Sequence, residues 1–257
     1  MTRIPLPDSF LRLPISHRAL HDRSKGRIEN SPAAIKAAVE AGYAIEIDLQ
    51  LSADGAPMVF HDEDLDRLTD ETGPVNARTA AELGRIRLKG STDTIPTLAE
   101  VLNLIGGKVP LLIEIKDQTQ VMGETDGRLE TATAEALKDY RGEVALMSFN
   151  PHSVAHMARF APNLPRGITT SAYDPDDWAP LPKEVCDRLR PIPDFDTTGA
   201  SFISHEGRDL ARPRVAELKA KGAAILCWTI RSAADEALAR RIADNVTFEG
   251  YLAALPA

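Results

Sequence analysis

The sequence is poor in cysteine and has no long hydrophobic run. Its 257 residues include two cysteines, Cys186 and Cys227, which lie far apart. This excludes a disulfide-stapled fold, and we expect two reduced thiols that fill the core. The sequence also lacks the ~20 apolar residues of a membrane span and, near its start, the apolar segment of a signal peptide. We therefore expect a cytoplasmic protein without stable membrane insertion.

An excess of basic residues is also missing. The chain has 30 Lys and Arg against 38 Asp and Glu, which gives a formal net charge of -8. Sequence-independent binding of nucleic acid depends on clustered Lys and Arg, so we expect no nucleic-acid partner. The remaining composition, 43% hydrophobic and 26% charged, is typical of a globular protein. It leaves the oligomeric state open.

What the chain does contain is a regular alternation of short apolar or β-branched runs with amphipathic helical stretches. This pattern is typical of repeated βα units around a parallel sheet. Eight strands are predicted, at about Leu13–His17, Ala44–Leu51, Pro110–Lys116, Val144–Phe149, Arg166–Thr170, Ser201–His205, Ala224–Ile230 and Val246–Gly250. The length suits one large domain. We predict an α/β fold, a TIM (β/α)8 barrel, over residues 1–257.

One interval breaks this rhythm. Between His61 and Val109 the sequence is rich in charge and turn signals, and a short strand is predicted just before it, at Met58–Phe60. Connections of such length are uncommon in barrels, so we predict an insertion after the second strand, at about residues 62–109. Two interpretations stay open: a hairpin that pairs at the barrel rim and covers the active site, or an irregular loop.

Carboxylates interrupt two neighbouring barrel strands. Glu46 and Asp48 are two residues apart, so both should point to the same face of their strand, and Glu114 and Lys116 repeat this spacing on the next barrel strand. Active sites of such barrels lie where strands end. Three acids and one base leave surplus negative charge, which favours a divalent cation, Mg²⁺ or Ca²⁺, bound by Glu46, Asp48 and Glu114. The alternative is a buried ion-pair network without a metal.

Two histidines follow predicted strands near this cluster. His17 closes the first strand, and His61 follows the apolar triplet Met58–Phe60. Histidine exchanges protons near neutral pH, so both are candidate acid–base residues. Arg18 and Lys116 are suited to binding a phosphate group.

Other histidines and aromatic residues carry weaker signals. His21 is placed in a loop, His152 and His156 on the surface of one helix, and His205 at the end of the sixth strand, where core and site interpretations are equal. Phe149 and Trp228 are predicted near strand ends, where they could form an apolar wall for the carbon skeleton of a substrate. Core packing is the alternative for both.

These residues occur in an order that resembles the glycerophosphodiester phosphodiesterases. The matching segments run along most of the chain and are His17-Arg18, Glu29-Asn30-Ser31, Glu46-x-Asp48, Asp54-Gly55, His61-Asp62, Leu65, Arg67, Thr69, Gly73, Ile95-Pro96-Thr97-Leu98, Glu114-x-Lys116, Ser148-Phe149 and Trp228-Thr229. Each segment alone is a weak signal, whereas the ordered set is specific.

The resemblance implies a TIM barrel with a small segment inserted after the second strand, and metal-dependent hydrolysis of glycerophosphodiesters to sn-glycerol 3-phosphate and an alcohol. The residues that it implies are the metal ligands Glu46, Asp48 and Glu114, the catalytic residues His17 and His61, the substrate contacts Arg18, Lys116 and Trp228, and Glu29, which lines or braces the site. Phe149 of the apolar wall completes the set of predicted substrate-binding residues. It leaves open which histidine is the acid, and whether water or the glycerol 2-hydroxyl attacks.

Two departures from the family pattern bear on the substrate more than on the chemistry. Ala19 stands where the family usually has glycine, and Glu249 stands near a position where aspartate is common. A related lipid phosphodiesterase or lyase, a Mg²⁺-dependent aldolase or enoliser, and a non-catalytic glycerophosphodiester-binding module are therefore kept as alternatives.

Overall fold

The computed structural model describes residues 2–256, in which eight parallel strands close into a barrel. The nine strands are β1 (Ile15–Ser16), β2 (Ala44–Leu51), β3 (Pro57–Val59), β4 (Leu111–Ile115), β5 (Val144–Ser148), β6 (Arg166–Thr170), β7 (Phe202–Glu206), β8 (Ala224–Ile230) and β9 (Asn245–Phe248). The barrel order is β1-β9-β8-β7-β6-β5-β4-β2, and β1 pairs with β2 to close it. The predicted (β/α)8 barrel is therefore confirmed.

Helices connect most of the strands and surround the barrel. They are α1 (Asp8–Arg12), α2 (Pro32–Ala41), α3 (Ala80–Leu83), α4 (Leu98–Ile105), α5 (Arg128–Leu137), α6 (Pro151–Phe160), α7 (Lys183–Leu189), α8 (Pro213–Ala220) and α9 (Ala233–Ala239). The start of α2 shows how local sequence sets these limits. The Ser31 side chain caps it, Pro32 occupies the first turn, and Gly42 ends it in a left-handed conformation.

β2 is buried along its whole length because its two faces meet different layers. Ile45, Ile47 and Leu49 belong to an apolar cluster shared with β4 and the surrounding helices α2 and α4. Glu46 and Asp48 alternate with them and point into the barrel, as strand geometry requires. In the register of the sheet, Asp48 lies opposite Glu114 on β4.

The end of the barrel where the strands begin is filled mainly with apolar side chains. Phe10 of α1 packs there with Leu112, Phe202 and Leu226. Gly167 on β6 makes room for Phe202, since a Cβ at this position would lie 2.3 Å from the Phe202 ring. The carboxylates Glu46, Asp48 and Glu114 lie toward the other end of the barrel, where the strands finish.

Residues 52–97, between β2 and α4, depart from the βα repeat and form what is called here the hairpin segment. β3 pairs antiparallel with the end of β2, so the chain turns back over the barrel rim as a hairpin. The residues that follow enclose a small apolar core, which includes Phe60, Leu65 and Leu83. α4 packs on the barrel helix α2, so this segment ends before Leu98.

Residues 2–256 contain no helix that is both long and apolar enough to cross a membrane. The cytoplasmic location and the lack of a nucleic-acid partner stay predictions.

Candidate active site

A cavity of about 750 Å³ opens at the carboxyl ends of the barrel strands. One side is lined by charged residues of β2, β4 and the hairpin segment, and the other by apolar residues. Nine of the ten predicted site residues line it: His17, Arg18, Glu46, Asp48, His61, Glu114, Lys116, Phe149 and Trp228. The barrel thus brings together side chains that lie up to 211 positions apart in the sequence.

Glu46, Asp48 and Glu114 form the floor of the cavity. Each offers a carboxylate oxygen, and these oxygens lie within 4.8 Å of one another. All three residues are at most 6% exposed. Burial and the charges of its two neighbours raise the pKa of Glu46 well above its usual range. Three anions held this close in a buried position require compensation by positive charge.

Part of that compensation comes from Lys116. Its Nζ lies 2.6 Å from Glu114 Oε1 and 2.9 Å from Asp48 Oδ1. Burial acts against the charged ammonium, but the two carboxylates raise the pKa of Lys116 above its ordinary value. Burial would likewise raise the pKa of Asp48, yet the charge of Lys116 holds it well below the usual range.

Arg18 supplies a second cation and a backbone donor. Its guanidinium lies 2.7 Å from Glu29 and 3.6 Å from Asp48. Its backbone N–H donates a 2.7 Å hydrogen bond to Glu46 Oε2. This N–H lies at the start of a left-handed turn formed by Arg18 and Ala19, whose φ angles are 51° and 64°.

The charges of this group do not balance without a further cation. Four carboxylates, those of Glu29, Asp48, Asp62 and Glu114, are connected to three cations by ion pairs, and Glu46 adds a fifth carboxylate that accepts the Arg18 backbone N–H. The cations are Arg18, Arg67 and Lys116. With all five carboxylates ionised, the surplus is two negative charges, which a divalent cation would neutralise. The donor set consists of carboxylate oxygens, which suit Mg²⁺ or Ca²⁺, so the residues fit the metal that the family is expected to use.

His17 is oriented by a residue from the opposite end of the chain. Glu249, just after β9, places its Oε2 2.6 Å from His17 Nδ1. Because a carboxylate accepts, Nδ1 carries the hydrogen and Nε2 is left with the lone pair. Burial lowers the pKa of His17 to about 4, despite the opposing effect of Glu249. A neutral imidazole in this orientation can accept a proton.

His61 has a carboxylate partner of its own. Its Nδ1 lies 2.7 Å from Asp62 Oδ1, and Asp62 is also bound by Arg67, whose Nε is 2.6 Å from Asp62 Oδ2. Burial would raise the pKa of Asp62, but its hydrogen bonds to His61 and Arg67 lower it. Arg67 also binds Glu29, so the hairpin segment is tied to the loop before α2. The segment therefore delivers a catalytic candidate to the cavity.

The apolar side of the cavity is aromatic. Phe149 packs edge to face against Trp178 and Trp228, with ring centroids 4.9 and 5.5 Å away. The Trp228 indole N–H donates to the Ser204 carbonyl, which fixes the ring. Phe149 and Trp228 are thus cavity residues that also pack on one another.

Glu29 and His205, both singled out in the sequence, lie outside the cavity lining. Glu29 lies behind the cavity lining, where it braces Arg18 and Arg67. His205 is fully buried between Thr170 and Asp209 and does not line the cavity.

Sequence reasoning missed Glu249, Asp62, Arg67 and Trp178 as members of the site. A signal existed for Asp62, which directly follows His61, whereas Glu249 and Trp178 reach the site through long-range folding.

Comparison with known proteins decides the family. A sequence profile of the glycerophosphoryl diester phosphodiesterase family matches residues 17–247. The chain belongs to this family. Its resemblance to the glycerophosphodiester phosphodiesterases is therefore confirmed.

Individual members of the family agree with this assignment. A glycerophosphodiester phosphodiesterase of Caldanaerobacter subterraneus is 37% identical over 176 residues, which cover 65% of this chain and 70% of the relative. A phosphodiesterase of Oleispira antarctica, solved with the product sn-glycerol-3-phosphate, has a TM-score of 0.74 at 26% identity and 94% coverage of both chains. A crystal structure from Silicibacter pomeroyi is 22% identical to this chain. The match covers 96% of this chain and 90% of that chain with a TM-score of 0.74, which supports the fold alone.

The departure at Ala19 has a visible structural cost. A φ of 64° suits glycine, whereas alanine there costs ~1 kcal/mol. The Ala19 side chain is 2% exposed and packs in the apolar cluster around β2, so its burial offsets part of that cost. The left-handed turn after His17 is thereby kept without the family glycine.

Proposed function

We propose that this protein is a metal-dependent glycerophosphodiester phosphodiesterase that releases sn-glycerol 3-phosphate and an alcohol. One observation carries the proposal. Three buried carboxylates, two carboxylate-bound histidines and the cations Arg18 and Lys116 line a single cavity in a chain of this family. The product bound to the Oleispira antarctica phosphodiesterase is consistent with the substrate class.

A phosphodiester resists hydrolysis because its negative charge repels nucleophiles and because an alkoxide is a poor leaving group. Arg18 and Lys116 line the cavity beside the carboxylate floor and would bind the non-bridging oxygens. Glu46, Asp48 and Glu114 would hold the divalent cation, which when bound supplies Lewis-acid stabilisation of the phosphoryl charge. The proposed cation is Mg²⁺ or Ca²⁺, and replacing one by the other in the activity assay tests which of them supports turnover.

The two histidines would transfer the protons. His17 is held neutral by burial and has Nε2 free of the Glu249 contact, so it is suited to accept a proton from the attacking hydroxyl. His61, paired with Asp62, would give a proton to the departing alcohol. The proton count then balances, since one proton leaves the nucleophile and one reaches the leaving group. Each transfer contributes about 10²–10⁴-fold.

The aromatic wall would bind the carbon skeleton of the substrate. Phe149, Trp178 and Trp228 face the cavity from the side opposite the carboxylates. An apolar surface opposite a phosphate site orients a diester so that one ester oxygen faces the histidines. This arrangement supports the proposal that Phe149 and Trp228 contact the substrate.

Removal of divalent cations is expected to abolish turnover. We expect the purified protein to release sn-glycerol 3-phosphate from glycerophosphocholine. This turnover should stop after treatment with EDTA and recover when Mg²⁺ or Ca²⁺ is added. The reason is that Glu46, Asp48 and Glu114 would hold the cation that stabilises the phosphoryl charge. An enzyme-coupled assay of glycerol phosphate over a panel of glycerophosphodiesters measures this, and undiminished turnover in EDTA would sink the proposal.

Asp62 is expected to position His61. Asp62→Asn should lower kcat on the order of 10²-fold with little change in KM, because the amide keeps the size of the side chain but not its charge. The pH profile of kcat should also shift. Asp66→Asn is the matched control, since Asp66 lines the same cavity but caps the Gly73 N–H instead. A drop in melting temperature with an unchanged pH profile would show that Asp62 is merely structural.

A further inference from the structure

A second group of metal-ligating side chains lies beside the carboxylate floor and has a different chemistry. His17, His21 and Glu249 each offer a ligand atom, and these atoms lie within 4.8 Å of one another. Both histidines approach the same carboxylate oxygen. Glu249 Oε2 is 2.6 Å from His17 Nδ1 and 3.5 Å from His21 Nε2. Two imidazoles and one carboxylate are the donor set of a zinc site with three protein ligands.

The backbone holds the two histidines together. The left-handed conformations of Arg18 and Ala19 turn the chain after β1, and the His21 N–H donates a 2.9 Å hydrogen bond to the Ala19 carbonyl. The turn brings His21 beside His17, while β9 delivers Glu249 from the other end of the chain. The three ligands are therefore largely placed before any ion arrives, which lowers the entropic cost of binding.

His21 has an unused ligand atom. Its Nε2 is shielded from solvent and makes no hydrogen bond within residues 2–256. Burying a polar nitrogen whose contact with Glu249 is too long for a good hydrogen bond costs free energy, which coordination of a cation would recover. Arg231 binds the other Glu249 oxygen, Oε1, at 2.9 Å. Its side chain is 66% exposed, so it can remain there while Oε2 serves the histidines.

We propose that His17, His21 and Glu249 bind Zn²⁺ and that this ion inhibits the enzyme. Imidazole nitrogens favour zinc and other borderline transition metals, whereas the three carboxylates nearby favour Mg²⁺ or Ca²⁺. The two sites should therefore be selective for different ions. Excess Mg²⁺ should leave the histidine site available to zinc.

Zinc would inhibit the enzyme because the neutral His17 imidazole carries one hydrogen, which can be on only one of its two nitrogens. In the structure His17 Nδ1 faces Glu249, so the hydrogen is on Nδ1 and the lone pair on Nε2. Zinc on Nδ1 requires the Nδ1 lone pair, which moves the hydrogen to Nε2. Nε2 then has no lone pair with which to accept a proton. Loss of turnover thus rests on the proposed function of His17, whereas zinc binding itself does not.

Equilibrium dialysis against ZnCl₂ with Mg²⁺ in large excess tests the binding. We expect one zinc per wild-type chain and affinity weakened at least about tenfold in His21→Gln. The matched control is His152→Gln, a half-buried histidine on α6, which should bind zinc as the wild type does. Loss of zinc in excess Mg²⁺, or equal affinity in His21→Gln, would overturn the proposed site.

Turnover of glycerophosphocholine tests the inhibition separately. His21→Gln should keep its basal kcat and require at least about tenfold more zinc for half-inhibition. Zinc that binds in dialysis but leaves turnover unchanged would overturn the inhibitory role. A protein with no phosphodiesterase activity in any metal would refute the proposed function instead, while the dialysis result would still decide whether the zinc site exists.

Discussion

His61→Ala is expected to lower kcat about 10²–10⁴-fold and to leave the fold intact. The imidazole lines the cavity, is 29% exposed and is bound to Asp62, which keeps Arg67 as a partner after the substitution. Removal of His61 therefore leaves no unpaired buried charge, while the proton donor is lost. His17→Ala should show a comparable loss because the opposite proton transfer fails. Steady-state kinetics and circular dichroism spectra of both variants measure these effects.

The control for these variants is His152→Ala. It makes the same chemical change on α6, outside the cavity lining, and should retain wild-type kcat. Near-normal turnover in His61→Ala or His17→Ala would remove that histidine from the mechanism. A rate loss accompanied by unfolding would indicate a structural role, which the circular dichroism spectrum distinguishes.

Glu46→Gln is expected to abolish metal binding and turnover while preserving the fold. Glu46 is 2% exposed, and an amide of the same shape can still accept the Arg18 N–H. The substitution removes one of three charged oxygen ligands and leaves the site closer to neutrality. Saturating metal at about 100 times its Kd would stabilise the wild type by about 2.7 kcal/mol, and this gain should disappear in the variant. Thermal unfolding with and without Mg²⁺ or Ca²⁺ measures it.

Glu206→Gln provides the comparison. Glu206 also ends a barrel strand, but it binds the Ala172 N–H and Arg208 and does not line the described cavity. It should keep both the metal-dependent stabilisation and the activity. If Glu46→Gln retained a metal-dependent shift in melting temperature, the three-carboxylate site would be wrong, and the buried ion-pair network would account for these residues.

The strands of the barrel were predictable because their signal is local. β2 and β4 read as apolar runs, and their alternation with Glu46, Asp48 and Glu114 follows from a repeat of two residues. The limits of the hairpin segment were harder to predict, because the predicted insertion, residues 62–109, also includes the helix α4. Its helical pattern is local, but its packing on the barrel helix α2 is not.

The sequence by itself determined the residue types of the site, the spacing of the carboxylates on each strand and the family resemblance. These depend on neighbouring positions and on the order of motifs. Only the tertiary structure decided which partners complete the site. Glu249 reaches His17 across 232 positions because barrel closure joins the first strand to the last. Arg67 reaches Glu29 because the hairpin segment folds back over the barrel rim. These pairings of distant side chains are properties of the tertiary fold, which no local pattern contains.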